Sequence, residues 1–443
     1  VKGLKALYLN NRSFQAAGLI VFLAAAGYAL PATEAIARAL LMMVLALLLV
    51  DILMLFRVKK GMFAQRFAPE KFSNGDENLI RLFIQSYYGF GVKLRIIDEV
   101  PEQFQMRDAQ FFTQLKATAS TSIDYHLRPV KRGEYHFGKL NVFVSGPLGL
   151  VSRRFQFAEP VMVPVYPSFI QMRKYELLAI SNNLTMQGMK KIRRLGHNME
   201  FEQIKEYVPG DDFRTINWRA TARKGHLMVN NYQDEKSQQV YSVIDKGRVM
   251  QMPFEGMSLL DYAINAALAI SNIAMRKGDK AGLVTFQHKI GTMLPSSKRN
   301  KQMELIMETL YNQKTAYQES DFSRLYVHLQ KRINQRSLVL LYTNFESMAA
   351  LERQLPFLQS ISKKHVLVVI FFRNTELRDL LQSKPGGTKD IYHKTIAEKF
   401  DYEKRLIVRE LRKYGIYSVL TSPQNLTIDT INKYLELKAR GLI

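Results

Sequence analysis

Two long apolar runs near the start of the chain constrain its architecture more than any other feature. The first, FQAAGLIVFLAAAGYAL from Phe14 to Leu30, is 17 residues without a charge, and the second, LLMMVLALLLVDILMLF from Leu40 to Phe56, carries one charge at Asp51. Each is close to the shortest helix that crosses a bilayer, roughly 17–25 residues, and the Pro31–Ala39 link is short enough for a hairpin. Two membrane helices are therefore expected within residues 1–60. A buried hairpin of a soluble domain and a cleaved signal segment are the competing readings.

The flanking charges give an orientation. Lys2, Lys5 and Arg12 precede the pair and Arg57, Lys59, Lys60 and Arg66 follow it, whereas the link carries only Glu34 and Arg38. The positive-inside rule then places both ends, and all that follows residue 57, in the cytoplasm. Asp51 is costly at mid-membrane but lies near the cytoplasmic end of its helix, where it is expected as an interfacial carboxylate or paired with another chain.

Beyond the apolar runs the chain reads as globular, with 47% hydrophobic and 23% charged residues. Residues 61–168 fall into short alternating runs punctuated by Gly, Pro and Asp, such as VKLRIIDEVP and RRFQFAEPVMVPVYP, which predict a β-sandwich-like domain of immunoglobulin type. Residues 169–236 read as a basic, polar connector that includes KKIRR at Lys190–Arg194. From residue 237 to 443 strand and helix patterns alternate, from QQVYSVID ending at Asp245 to IYSVLTS near the end. That alternation implies a doubly wound, mostly parallel sheet, whose ligands bind in the loops after Asp245, Thr343, Phe372 and Ser422.

Within the connector lies YVPGDDFRTINWRATARKGHLMVNNY, Tyr207–Tyr232, with the chain's one tryptophan. Pro209 and Gly210 suit a turn, Asp211 or Asp212 suits the cap of a helix reaching Arg223, and Phe213, Ile216 and Ala220 recur at helical spacing as its buried stripe. Arg214, Asn217, Trp218 and Arg219 then fall partly outside the stripe. They are expected either to clasp the β domain to the α/β domain or to face a partner, because Trp beside Arg is common at protein interfaces.

These residues, together with RGEYHFG, GPLGL and VYP, resemble the domain-of-unknown-function-58 family of bacterial membrane proteins over nearly the whole chain. The resemblance implies a von Willebrand factor A-like domain behind a β domain, in the bacterial cytoplasmic membrane, with a MoxR-type AAA+ ATPase as partner. Members often carry Asp-x-Ser-x-Ser, a metal-ion-dependent adhesion motif, after the first strand of that domain. Here Asp245 remains, but Gly247 and Val249 stand in the serine positions and Asn344 where an acid is expected. A hard dication needs several anionic or hydroxyl oxygens, so no metal or cofactor is expected, and Asp245 is expected to cap a helix or pair with Lys246 or Arg248.

Catalytic signatures are weak. There is no cysteine, the eight histidines are scattered, and SKPGGTK at Ser383–Lys389 lacks phosphate-loop spacing. The leading expectation is a membrane-anchored, non-enzymatic scaffold that docks the ATPase or its client. Its alternative, an anionic-lipid or nucleic-acid binder, rests on KKIRR and a net charge of +24, with nucleic acid the less expected of the two. A metal-dependent hydrolase would need Asp211, Asp212 and Asp245 to converge.

Overall fold

In a computed structural model the described residues are 6–28, 31–106, 109–180, 199–234, 237–373 and 387–443. They divide into two units, Val1–Tyr166 and Pro167–Ile443, the first mostly β behind an apolar N-terminal helix, the second α/β. The KKIRR run and the first four residues of SKPGGTK lie outside the described residues.

In the first unit a short strand β1 (Leu7–Leu9) precedes helices α1 (Asn11–Ala26) and α2 (Pro31–Arg57). The expected Pro31–Ala39 link is instead the first turns of α2. Proline is tolerated at a first helical position, where its missing N–H costs no bond, and the alanines, Glu34 and Arg38 of ATEAIARA are strong helix formers. Among the described residues one helical stretch, Thr33–Arg57, is long and apolar enough to cross a membrane, and little of it is buried.

Its last two turns are different. Leu55 is wholly buried in the β core, with Leu48, Ile52 and Phe56 packed against that core. The terminal carbonyls are capped by side chains: Arg153 donates to the Leu55 and Val58 oxygens at 2.7 and 2.8 Å, and Tyr88 to the Leu55 oxygen at 2.9 Å. A cation on the last carbonyls also suits the helix dipole.

The remaining strands of this unit are β2 (Met62–Phe67), β3 (Phe72–Ser73), β4 (Asn78–Ser86), β5 (Val92–Asp98), β6 (Gln110–Leu115), β7 (Ser120–Leu127), β8 (Gly133–Phe137), β9 (Leu140–Ser145), β10 (Val151–Phe157) and β11 (Val161–Tyr166). They form sheets ordered β1-β10-β9-β5-β6, β2-β4-β7 and β3-β11-β8, antiparallel except for β3 with β11. Residues of all three sheets share one core. Alternation drives it: in NLIRLFIQS of β4, Leu79 and Arg81 face out while Ile80, Leu82 and Ile84 are fully buried.

Asp51 is a correction to the expected interfacial carboxylate. It is wholly buried, and one carboxylate oxygen accepts the backbone N–H groups of Leu150 and Val151, each at 3.0 Å. The turn that supplies them is also held by the start of α1, where Asn10 N–H and the Ser13 hydroxyl both donate to the Leu150 carbonyl.

The second unit opens with α3 (Phe169–Ile180), at the start of the segment read as a connector. Tyr175 joins the α/β core, and Glu176 bonds Asn272 and Arg276 of α5 (Leu259–Arg276). A hairpin of β12 (Met199–Glu206) and β13 (Met228–Asp234) follows, with a short helix α4 (Trp218–Lys224) in its loop. The main sheet contains β14 (Gln239–Asp245), β17 (Lys280–Phe286), β18 (Ile290–Ser297), β19 (Leu338–Tyr342), β20 (Val366–Phe372) and β21 (Tyr417–Thr421); β15 (Pro253–Phe254) and β16 (Met257–Ser258) make a small ribbon.

Its order is β18-β17-β14-β19-β20-β21, parallel except for the β18 edge. Helices α5, α6 (Gln302–Tyr311), α7 (Phe322–Arg332), α8 (Met348–Lys364), Thr388–Lys413 and Leu426–Ala439 complete the unit. Two separate cores, one on each face of the strands, explain why VLVVIFF of β20 is buried throughout. The chain passes from β14 to β17 on one side and later to β19 on the other, so the sheet's switch point lies at the carboxyl ends of β14 and β19.

Candidate functional site

Two places hold the residues that the sequence singles out, the loop of the β12–β13 hairpin and the switch point. In the loop, Gly210 has φ +112°, a conformation that glycine adopts without strain. Asp211 accepts the Val208 N–H at 3.0 Å and pairs with Lys205 at 2.8 Å, and these bonds hold its carboxyl below the ordinary range.

The expected single helix from Asp211 to Arg223 is broken in two. Asp212 accepts the Arg214 N–H at 3.0 Å and starts a one-turn 3-10 helix, Phe213–Thr215. Asn217 then caps α4 by accepting the Ala220 N–H at 3.0 Å, and its amide nitrogen reaches Asn230 at 2.8 Å. Two capping side chains five residues apart each favour a fresh start over a continuous helix. Gly225, at φ +76°, closes α4, and the Thr221 hydroxyl accepts the Met228 N–H at 3.0 Å.

Of the expected buried stripe, Ile216 and Ala220 are half-buried but Phe213 is 70% exposed, and Trp218, expected outside the stripe, is 69% exposed. Arg214, Arg219 and Arg223 are exposed beside them, and Arg214 lies 5.8 Å from the Phe213 ring centroid. Among the described residues none of these three arginines makes an ion pair. Large apolar and cationic groups are thus presented on a backbone fixed by its own caps.

At the switch point Asp245 is 1% exposed and does not pair with Lys246 or Arg248. One of its oxygens accepts the Gly247 N–H at 2.8 Å and the Ser320 hydroxyl; the other accepts the Thr343 hydroxyl at 2.6 Å. Burial pushes its carboxyl up, and these three bonds oppose that shift. Ser320 has no sequence signal, since nothing in its spacing ties it to a strand 75 residues away.

Gly247 leaves room for that serine: a β-carbon there would lie 2.2 Å from the Ser320 oxygen and 3.1 Å from an Asp245 oxygen. Gly247→Ala is expected to cost about 1–3 kcal/mol of stability by overpacking. Combining it with Ser320→Ala should cost clearly less than the sum of the two single changes, and urea unfolding that gave simple additivity would show that the two positions do not share this space.

The neighbouring loop carries a second buried network. Lys404, from the helix Thr388–Lys413, is 9% exposed and donates to the Asn344 side-chain oxygen at 2.7 Å and to the Phe345 carbonyl. Burial pulls its ammonium down to about 8, with Glu346 opposing. Val249 is half-buried against the core, on no polar atom of this cluster. Among the described residues no three His, Asp or Glu side chains converge, so Asp211, Asp212 and Asp245 do not form one centre.

Residues 203–380 match the model of the family described as protein of unknown function DUF58. This segment, and not the whole chain, is similar to the DUF58 family. The matched segment contains both the hairpin loop and the switch point. A relative, the uncharacterized protein YeaD of Bacillus subtilis (strain 168), is 26% identical over 166 residues, 38% of this chain and 39% of that protein. The chain thus spans about two fifths of the length of that relative.

Among solved structures, the conserved hypothetical protein BatB from Bacteroides thetaiotaomicron aligns at 14% identity and TM-score 0.32, over 46% of this chain and all of that one. A proximal thread matrix protein from the mussel byssus aligns at 10% identity and TM-score 0.27, over 44% of this chain and 46% of that one.

Proposed function

We propose that this chain is a membrane-anchored, non-enzymatic interaction protein that docks a partner through the loop of its β12–β13 hairpin. The observation that carries this reading is the exposure of Phe213 and Trp218, with Arg214, Arg219 and Arg223, on a capped and therefore preorganised backbone. The second unit is read as von Willebrand factor A-like, the first as sandwich-like. From the family resemblance, the partner is a MoxR-type AAA+ ATPase or its client.

The anchor reading is supported by how the N-terminal helices are built in. Removing them as a leader would take β1 from the edge of its sheet and Leu55 from the core. Because β1 pairs with β10, the segment before the helices and the β unit lie on one side, as two crossings require. With the flanking lysines and arginines, that side is the cytoplasmic face of the bacterial inner membrane.

Affinity capture of the tagged, detergent-solubilised chain from its own cells is the test, with wild type beside Trp218→Ala plus Arg219→Ala. The variant is expected to lose the ATPase while its stability changes by less than about 0.5 kcal/mol, since both side chains are exposed. Equal capture by the two proteins sinks the loop as the docking surface. The same cationic, aromatic loop also suits an anionic lipid face; that alternative requires binding to charged vesicles that collapses with added salt.

A further inference from the structure

Members of the family this chain resembles often carry a divalent-metal motif at the switch point, and the residues present here do not fit such an ion. Both oxygens of Asp245 are taken up by three internal donors, Gly247 N–H and the Ser320 and Thr343 hydroxyls. The side chain that should supply a second acid is Asn344, whose oxygen is already bonded to an ammonium. A hard dication takes six or more oxygens, several of them anionic; here the one buried carboxylate already has its oxygens bonded, Glu346 is exposed, and the Lys404 charge on the neighbouring loop repels a second cation.

The ammonium itself needs a reason. A lysine 9% exposed is costly unless its donors are satisfied, and a solvent-facing position would avoid the cost. Lys404 gives two hydrogen bonds, both to the loop after β19, at the Asn344 oxygen and the Phe345 carbonyl, and lies 5.7 Å from the Phe371 ring centroid at the end of β20. It reaches these partners from a helix about sixty residues further along the chain. Thr343, which precedes Asn344, is the residue that grips Asp245 at the end of β14. Lys404, Asn344, Thr343 and Asp245 therefore form a continuous path across three elements of the switch point.

We infer that Lys404 is the built-in cation of this crevice and takes the structural part a divalent ion would play, tying the Thr388–Lys413 helix to the strand-end loops without metal. The crevice is then closed from within, and the domain's fold and loop order are independent of divalent ions.

Hydrogen exchange by mass spectrometry on the full chain in detergent tests this, with Mg²⁺ and Mn²⁺ as probes. Wild type is expected to show the same protection at residues 343–347 with either ion or with chelator, and calorimetry to detect no stoichiometric binding. Lys404→Met should raise exchange there and around residues 400–408 by about tenfold or more. Asn344→Ala, which spares the Phe345 carbonyl, should give the same pattern at smaller size and is the readout if Lys404→Met does not fold. Stoichiometric Mn²⁺ binding by wild type that disappears in Asp245→Ala would overturn the inference. So would unchanged exchange in the lysine or asparagine variant.

Discussion

Replacing Asp51 with alanine is expected to destabilise the first unit by about 3 kcal/mol, while Asp51→Asn costs less than about 1. The reason is an acceptor in a place that water does not reach. Asp51 is wholly buried, and one of its oxygens takes two backbone N–H groups, of Leu150 and Val151, at 3.0 Å each. Alanine leaves both donors orphaned, and each buried, unpaired N–H costs about 1–3 kcal/mol. Asparagine keeps an oxygen for the same two bonds. Its amide nitrogen would stand where the second carboxylate oxygen is buried without a hydrogen-bond partner.

An interfacial carboxylate reaching for headgroups would behave differently, since neither substitution would then remove a protein contact. Chemical unfolding in detergent, with exchange at the Leu150 and Val151 amides as the local readout, separates the two cases. Equal and small effects from alanine and asparagine would mean that the turn is not held by Asp51.

What could be read from the sequence follows the range of the interactions. Periodicity is local, so the alternation of strands and helices after residue 237 was legible, as was the continuous apolar run of β20. Caps are nearly local: the Ser258–Asp261 capping box that starts α5 spans four residues. The breaking of the signature helix turns on Asn217, a capping residue whose competition with Asp212 a single stripe of apolar positions does not reveal.

Long-range polar pairs were not legible at all. Asp51 finds its donors about 100 residues away, Asp245 finds Ser320 at 75, and Asn344 finds Lys404 at 60. In each case the sequence marks one partner as unusual, a charge in an apolar run or a neutral residue where an acid is expected. It contains no spacing that names the other. The consequence for function is a division of labour within the DUF58 segment. Asp245 and Asn344 at the switch point are bonded internally, while the large side chains of the hairpin loop are left exposed.

Acidification is expected to weaken the second unit through His365. This residue lies between α8 and β20, is 3% exposed, and neither of its ring nitrogens has a hydrogen-bond partner among the described residues. Burial, and then the charge of Lys364, pull its imidazole down from 6.5 to about 4. The unfolded chain therefore binds a proton in a range where the folded chain does not. Stability is fully present above pH 6.5, falls as the pH drops through the window from about 6.5 to 4, and levels off below it as far as this group is concerned. At 1.36 kcal/mol per unit the loss has a ceiling of about 3 kcal/mol, and solvent screening near the end of the strand brings the expected value to about 2. His365→Leu removes the proton-binding group while keeping an apolar side chain, so the variant should lose this part of the slope. Urea unfolding of both proteins at pH 7, 5.5 and 4.5 measures it. Parallel decline in wild type and variant would assign the acid sensitivity to other groups, because carboxylates elsewhere act equally on both proteins and cancel in the difference.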